Sequence, residues 1–250
     1  MEGIKVLRST QIIILGICFV VATITSTVIL SKGLLAIKKF SGQVITVTGS
    51  TEKNITSDLM VWKLSFSRRE AKMVAAFGLL KDDLRTVKDY LAGKGIKENE
   101  VIAAPVTTTV LHKKNEKGND TNDIEGYILG QEIEVRSKDV LKVTEVSRQA
   151  TELIEKGLEV ISQPPEYFYT KLPELKLTML SEATENAKKR AESMAKASGN
   201  KIGSIRSARM GVFQITPVNS FDVSDYGMND TTSLEKKVNA VVNVEFAISE

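Results

Sequence analysis

The chain has 250 residues, 42% hydrophobic and 26% charged, with a formal net charge of +3, proportions that exclude a mostly disordered chain and one needing disulfides or metal to fold. Single copies of cysteine (Cys18) and histidine (His112) exclude an intrachain disulfide, a cysteine-pair redox centre and any two-histidine metal site. Of the 34 basic and 31 acidic residues, five and one fall in 1–39, which leaves 29 and 30 in 40–250, so the globular part lacks the basic excess that nucleic-acid binding needs.

Residues 9–31 form a run of 23 without charge, centred on Ile12-Ile13-Ile14-Leu15-Gly16-Ile17-Cys18-Phe19-Val20-Val21. About 20 such residues in a helix cross a hydrocarbon core of about 30 Å. A secretory signal has a shorter apolar stretch, about 7–15 residues, followed by a small-x-small cleavage site. The 32–39 segment has no such site, so 9–31 is predicted to be an uncleaved signal-anchor. Ile12, Ile13, Ile14, Leu15, Ile17, Phe19, Val20 and Val21 would meet membrane lipid. Lys5 and Arg8 precede the span, and Lys32, Lys38 and Lys39 follow it, so the positive-inside rule separates the two orientations poorly. A short tail before a long domain favours a cytoplasmic 1–8, a linker at 32–42 and an extracytoplasmic or periplasmic domain at 43–250. Cys18 lies inside the span as a small apolar residue.

Beyond the span, the β-branched residues of 44–49 predict one strand. Met60, Trp62, Leu64 and Phe66, alternating with Val61, Lys63, Ser65 and Ser67, predict a second. Val74, Phe77, Leu80 or Lys81, Leu84, Val87 and Leu91 recur every three or four residues, which predicts a helix with these side chains inward, ending at Gly93-Lys94-Gly95. Two strands, 100–112 and 125–136, flank a charged stretch at 113–123 whose Gly, Asn and Asp suit a hairpin tip. A second helix from 138 sets Val140, Val143, Val146, Ala150 and Ile154 on one face and stops at Gly157. A short strand with Leu158, Val160 and Ile161 precedes Pro164-Pro165, and Tyr167-Phe168-Tyr169 is extended. Pro173 opens a third helix, with Leu177, Leu180, Thr184, Ala187, Ala191 and Met194 as its buried stripe. A strand over 201–213 leads into 214–234, a polar stretch too long for a plain turn and of the kind that is functional or mobile. The last strand sets Val238, Ala240, Val242, Val244, Phe246 and Ile248 against Asn239, Asn243 and Glu245. This order predicts an α+β fold with antiparallel-rich sheets and three main helices.

The order and several strings resemble the SIMPL-domain family over roughly 43–249. The carriers are Ile45-Thr46-Val47-Thr48-Gly49, Leu91-Ala92-Gly93-Lys94-Gly95-Ile96, Gly126-Tyr127, the string from Ala187 to Gly203 (AKKRAESMAKASGNKIG) and the Val-rich final strand after a long loop. Thr56-Ser57-Asp58 departs from the Lys-Pro-Asp type of string that many members carry there. The resemblance implies a bacterial envelope protein, able to assemble into rings or cages, without an established enzymatic activity and so without catalytic residues to assign.

The residues themselves offer little chemistry. Ser193-Met-Ala-Lys196 matches S-x-x-K but lacks the companion S-D-N and K-T-G strings. No phosphate-binding glycine motif occurs. His112 beside Lys113 and Lys114 reads as exposed and solvated. Glu116, Asp120 and Asp123 lack the EF-hand spacing and read as a solvated loop. Lys188-Lys189-Arg190 reads as a solvated helix face beside Glu182 and Glu185. No catalytic, metal or cofactor site is therefore predicted. The expected function is a non-enzymatic, self-assembling scaffold or partner-binding protein of the bacterial inner membrane, a homo-oligomer with a ring among its expected forms and an envelope protein among its expected partners, which binds no nucleic acid. Tyr167, Phe168, Tyr169, Phe221 and Tyr226 are the candidate contacts. The competing expectation is a small-molecule or ion pocket beside 214–234.

Overall fold

Met60, Trp62, Leu64 and Phe66 bury one face of a single strand (Leu59–Glu70), as their alternation predicts. The structure, a computed structural model, describes residues 2–40 and 43–249, with the side chains of 2–10, 36, 37, 39 and 40 outside the described set. The side chains of Lys5, Arg8 and Lys39, and the linker residues 41 and 42, therefore lie outside the described set. Helix α1 (Glu2–Phe40) is continuous through 32–40, and every described side chain from 11 to 35 is exposed. Its Gln11–Leu35 segment is long and apolar enough to cross a membrane.

The fold is α+β. After α1 come β1 (Val44–Thr56), β2 (Leu59–Glu70), α2 (Met73–Gly93), β3 (Val101–Ala103), β4 (Thr107–Lys114) and β5 (Asp120–Ser137). Then follow α3 (Val140–Gln149), α4 (Glu152–Glu155), β6 (Val160–Ser162), β7 (Glu166–Phe168) and α5 (Leu172–Ala197). The chain ends with β8 (Lys201–Met210), β9 (Gln214–Pro217), β10 (Met228–Asn229) and β11 (Glu235–Ser249). One sheet runs β1-β11-β9-β10 with β8 also on β11; the other runs β3-β5-β2-β6 with β4 on β5 and β7 on β2. Two compact units divide the chain: 1–49 with 185–209 and 243–250, and 50–184 with 210–242.

In the larger unit, β2 and β5 form a long antiparallel ladder from Met60↔Ser137 to Glu70↔Tyr127. Trp62, Leu64, Ile133 and Val135 on this ladder share a core with Leu80 and Val87 of α2 and Val143 of α3. Two of the side chains expected inward on α2 face solvent instead: Val74 is 84% and Phe77 51% exposed. The first turns, MVAAFGLL, are apolar on every side, so spacing alone does not select a face. The small Ala76 and the ion-paired Asp83 take the inward positions. Arg68 holds the Asp83 carboxylate through Nε at 2.5 Å and Nη2 at 2.7 Å, and donates to the Gly157 carbonyl at 2.9 Å. The second predicted helix is broken at 150–151, and the break turns Leu153 inward and leaves Ile154 55% exposed. A second, smaller cluster joins Met179 of α5 to Ile215, Val238 and Ala240.

In the smaller unit, Ala187, Ala191 and Ala195 of α5 are buried, as are Val47, Val244 and Phe246. Arg190 Nη1 donates to the Thr48 carbonyl at 2.8 Å, and Thr48 Oγ1 donates to Asn243 Oδ1 at 2.7 Å. Small residues let a helix approach a sheet closely. That is why the buried positions of α5 follow Met179 and the alanines at 183, 187, 191 and 195, whereas Leu177 and Met194, expected inward, are 72% and 55% exposed.

Candidate functional site

Only part of the 214–234 stretch, expected to be polar and irregular throughout, is a loop. Its start is β9, paired antiparallel with β11 through Val238↔Ile215, and its residues 228–229 are β10, paired parallel with β9. What remains is an excursion over 218–227, within the larger unit, whose base is tied at several points. The Gln214 side chain bridges it, with Nε2 donating to the Ser224 carbonyl at 2.6 Å and Oε1 accepting from the Ser224 amide at 3.4 Å. Gly227 closes the turn with its amide on the Ser224 carbonyl at 3.0 Å. Its φ of 85° is in the left-handed region, and a Cβ there would stand 2.9 Å from the Phe213 carbonyl oxygen, so only glycine fits.

The return leg is fixed by Asp230 and Lys236. Asp230 Oδ1 accepts from the Thr232 amide and hydroxyl, both at 2.8 Å, in an Asx-type turn. Burial pushes the Asp230 carboxyl up, but the bonds from Ser233 and Thr232 and the charge of Lys236 outweigh it and hold the group below its ordinary value. Lys236 is 3% exposed, and its ammonium donates to the carbonyls of Tyr167 and Asp230, each at 2.5 Å. Burial pushes this lysine below its ordinary value, and the Asp230 carboxylate offsets only part of that.

Over this fixed base the loop tip is apolar and open. Phe221 is 91%, Val223 76% and Tyr226 96% exposed. The Lys237 ammonium lies 5.2 Å from the Phe221 ring centroid, a cation–π distance. Beside the loop runs a cleft of about 550 Å³ lined by Leu172, Lys176, Met210, Phe213, Tyr226 and Met228 among others. It borders the 214–234 stretch.

The remaining sequence candidates are distributed as follows. Tyr167 is a core residue, 8% exposed, its hydroxyl 3.2 Å from Thr144 Oγ1 and its amide donating to the Thr231 carbonyl at 2.7 Å. Phe168 and Tyr169 are half-buried. The 166–170 segment is therefore joined to 230–236, and Phe221 and Tyr226 carry the exposed aromatic surface. The Thr170 amide and hydroxyl donate to the Asp58 carboxylate at 2.6 and 2.7 Å. Ser193 and Lys196 are exposed on α5. His112, expected exposed, is half-buried at a bulge in β4, and its Nδ1 is buried without a hydrogen-bond partner among the described residues. In the basic cluster, Lys189 pairs with Glu185 at 2.7 Å and Lys188 with Glu192 at 3.9 Å. Glu182, expected beside that cluster, pairs instead with Lys53 at 2.6 Å. Among the described residues no group of three His, Cys, Asp or Glu is arranged to hold a metal ion.

Lys236, Gln214 and Asp230 escaped the sequence reading. A signal for Lys236 was present: the inward phase of the last strand, read back from Val238, lands on it. Gln214 carries no such signal, because its partners are backbone groups of the loop, and for Asp230 the only signal was the short Asp230-Thr231-Thr232 string of an Asx-type turn.

A family model named SIMPL, described as "Protein of unknown function (DUF541)", matches residues 45–246. No curated protein matches the chain. Among solved structures, the chain is similar to an amidase of the hydantoinase/carbamoylase family from Burkholderia phymatum, at 9% identity and a TM-score of 0.25. That alignment covers 54% of this chain and 35% of the amidase. The chain thus spans about a third of that protein's length, and a likeness at this TM-score carries no argument about fold or activity.

Proposed function

From the premise that this chain belongs to the SIMPL family, we propose that it is a membrane-anchored, non-enzymatic assembly module of the bacterial envelope. Residues 9–31 anchor it in the inner membrane, the 1–8 tail stays in the cytoplasm, 32–42 connects, and 43–250 is the extracytoplasmic domain. The domain holds a protein partner, a second copy of the chain foremost, through the tip of the 218–227 loop.

The observation that supports this reading best is the contrast between the loop's base and its tip. Gln214, Gly227, Asp230 and Lys236 fix the base, while Phe221, Val223 and Tyr226 stand almost fully exposed. Aromatic side chains held out on a rigid base lose little entropy on binding and bring large apolar area, the properties of interface anchors. Repetition of one such contact with closed symmetry gives a ring, and anchors on one side would align its subunits.

Light scattering coupled to size-exclusion chromatography, on the full-length protein in mild detergent, tests the reading. Particles larger than the monomer are expected at micromolar concentration, and Phe221→Ser with Tyr226→Ser should reduce their mass while the domain stays folded. A monomer at that concentration, with no protein captured through the loop, would overturn it.

A further inference from the structure

The cleft beside the loop carries a lysine that rests on an aromatic ring and has no ion-pair partner among the described residues. Leu172, Met210, Phe213, Tyr226 and Met228 make its walls largely apolar, and among the described residues Lys176 is the one charged side chain in its lining. The Lys176 ammonium stands 5.3 Å from the Phe213 ring centroid, over a wall of the cleft. On a helix, ion-pair partners sit three or four residues away. For Lys176 those positions are Leu172, Pro173, Met179 and Leu180, none of them acidic. No ion pair to Lys176 is formed among the described residues.

We propose that this cleft binds a small amphiphilic anion, a carboxylate carried on a single flexible aliphatic tail. The inference goes beyond the assembly role and does not depend on it. A volume of about 550 Å³ falls in the range of small-molecule sites, roughly 300–1,000 Å³. Met210 and Met228 are unbranched and polarisable, so their walls adapt to a flexible tail rather than select one rigid ring. The wall at 226–229 is formed before any ligand arrives, because the Gly227 amide is bonded to the Ser224 carbonyl and Ser224 is held by Gln214. Preorganisation of this kind lowers the ordering cost of binding. Lys176 supplies the head-group contact: an ammonium on a carboxylate is a charge-assisted hydrogen bond, stronger than a neutral one. A cationic amphiphile meets like charge there. A divalent cation meets no carboxylate in the lining.

The test uses the full-length protein in lipid nanodiscs with 13C-methyl methionine, titrated separately with octanoate, octanol and octylammonium. Octanoate is expected to shift the Met210 and Met228 methyl resonances and to leave Met60, in the β2 core, unchanged. Octanol should bind about tenfold more weakly, the loss of one charge-assisted bond, and octylammonium more weakly still. Lys176→Glu should abolish the octanoate response, and Lys176→Arg should retain it. An unmoved Met60 resonance in each variant reports an intact fold, and an unchanged particle mass separates loss of the ligand from loss of assembly. Equal responses to all three probes, an octanoate response that survives Lys176→Glu, or no response at Met210 and Met228 would each overturn the proposal.

Discussion

Lys236 Nζ donates to the carbonyl oxygen of Tyr167 at 2.5 Å, so a buried cation ties the last strand to the segment after the double proline. Burial lowers the folded-state pKa of this lysine below its unfolded value of 10.5. Between the two values the unfolded chain binds more protons at this site. Its contribution to stability therefore rises with pH across that alkaline window, and its cost is fully present below the folded value. Lys236→Met should remove this rise, seen as a wild-type urea midpoint that gains on the variant's as pH approaches 10.5. At pH 7 the variant should be the less stable, because a buried acceptor left unpaired costs about 1–3 kcal/mol. The fluorescence of Trp62, the only tryptophan and fully buried, reports the unfolding.

Asp58 titrates with the opposite sign. Burial pushes its carboxyl up, but the Thr170 amide and hydroxyl outweigh that and hold it below 3.8. Its stabilising contribution is present above 3.8 and is lost as pH falls through the lower folded-state value. Asp58→Asn should weaken the protein at pH 7 and flatten its acid destabilisation below about pH 4. A variant as acid-sensitive as the parent would place that sensitivity elsewhere, with Glu100 as the next group to examine, since Ser137 lowers its carboxyl in the same way.

The two ends of the aromatic set predict different failures. Tyr167 packs in the core and its hydroxyl meets Thr144. Tyr167→Ser should cost about 3–5 kcal/mol, as truncation of a buried aromatic does. Tyr226 is 96% exposed, and Tyr226→Ser should leave stability within about 0.5 kcal/mol. Urea midpoints of the two variants separate them: equal losses would mean that Tyr226 packs against something in solution.

What the sequence made legible followed from period and composition. Alternation on 60–66 and 238–246 marked the inward faces of two strands because each sheet buries one side, and the uncharged run marked the membrane-length helix. Helix faces were less legible. On α2 the first turns are apolar all round, so Val74 and Phe77 fitted the pattern as well as Ala76 did, and the face that turns inward is the one carrying Ala76, Leu80 and the Arg68-paired Asp83. On α5 close approach to a sheet favours alanine over leucine, so size, rather than hydrophobicity, set the stripe. The floor of the candidate site was least legible. Gln214, Asp230 and Lys236 act on backbone carbonyls and amides, partners that no side-chain pattern encodes.

The anchor gives the last prediction. Val20 lies at the centre of the uncharged 9–31 run and Ile17 three residues before it, and both are exposed. A soluble domain would pay for that exposure in water, whereas a bilayer accepts it. A central arginine costs roughly 2.5–3.5 kcal/mol on the insertion scale, so Ile17→Arg together with Val20→Arg should move the chain from the membrane pellet to the soluble fraction after alkaline extraction. The domain should stay folded, since both side chains are exposed on α1. N-terminal sequencing of the membrane-bound parent completes the test. A mature chain beginning near Ile37 would identify a cleaved signal, and a start before residue 9 fits the anchor. A C-terminal alkaline phosphatase fusion should be active, and an inactive one beside an active β-galactosidase fusion would reverse the orientation.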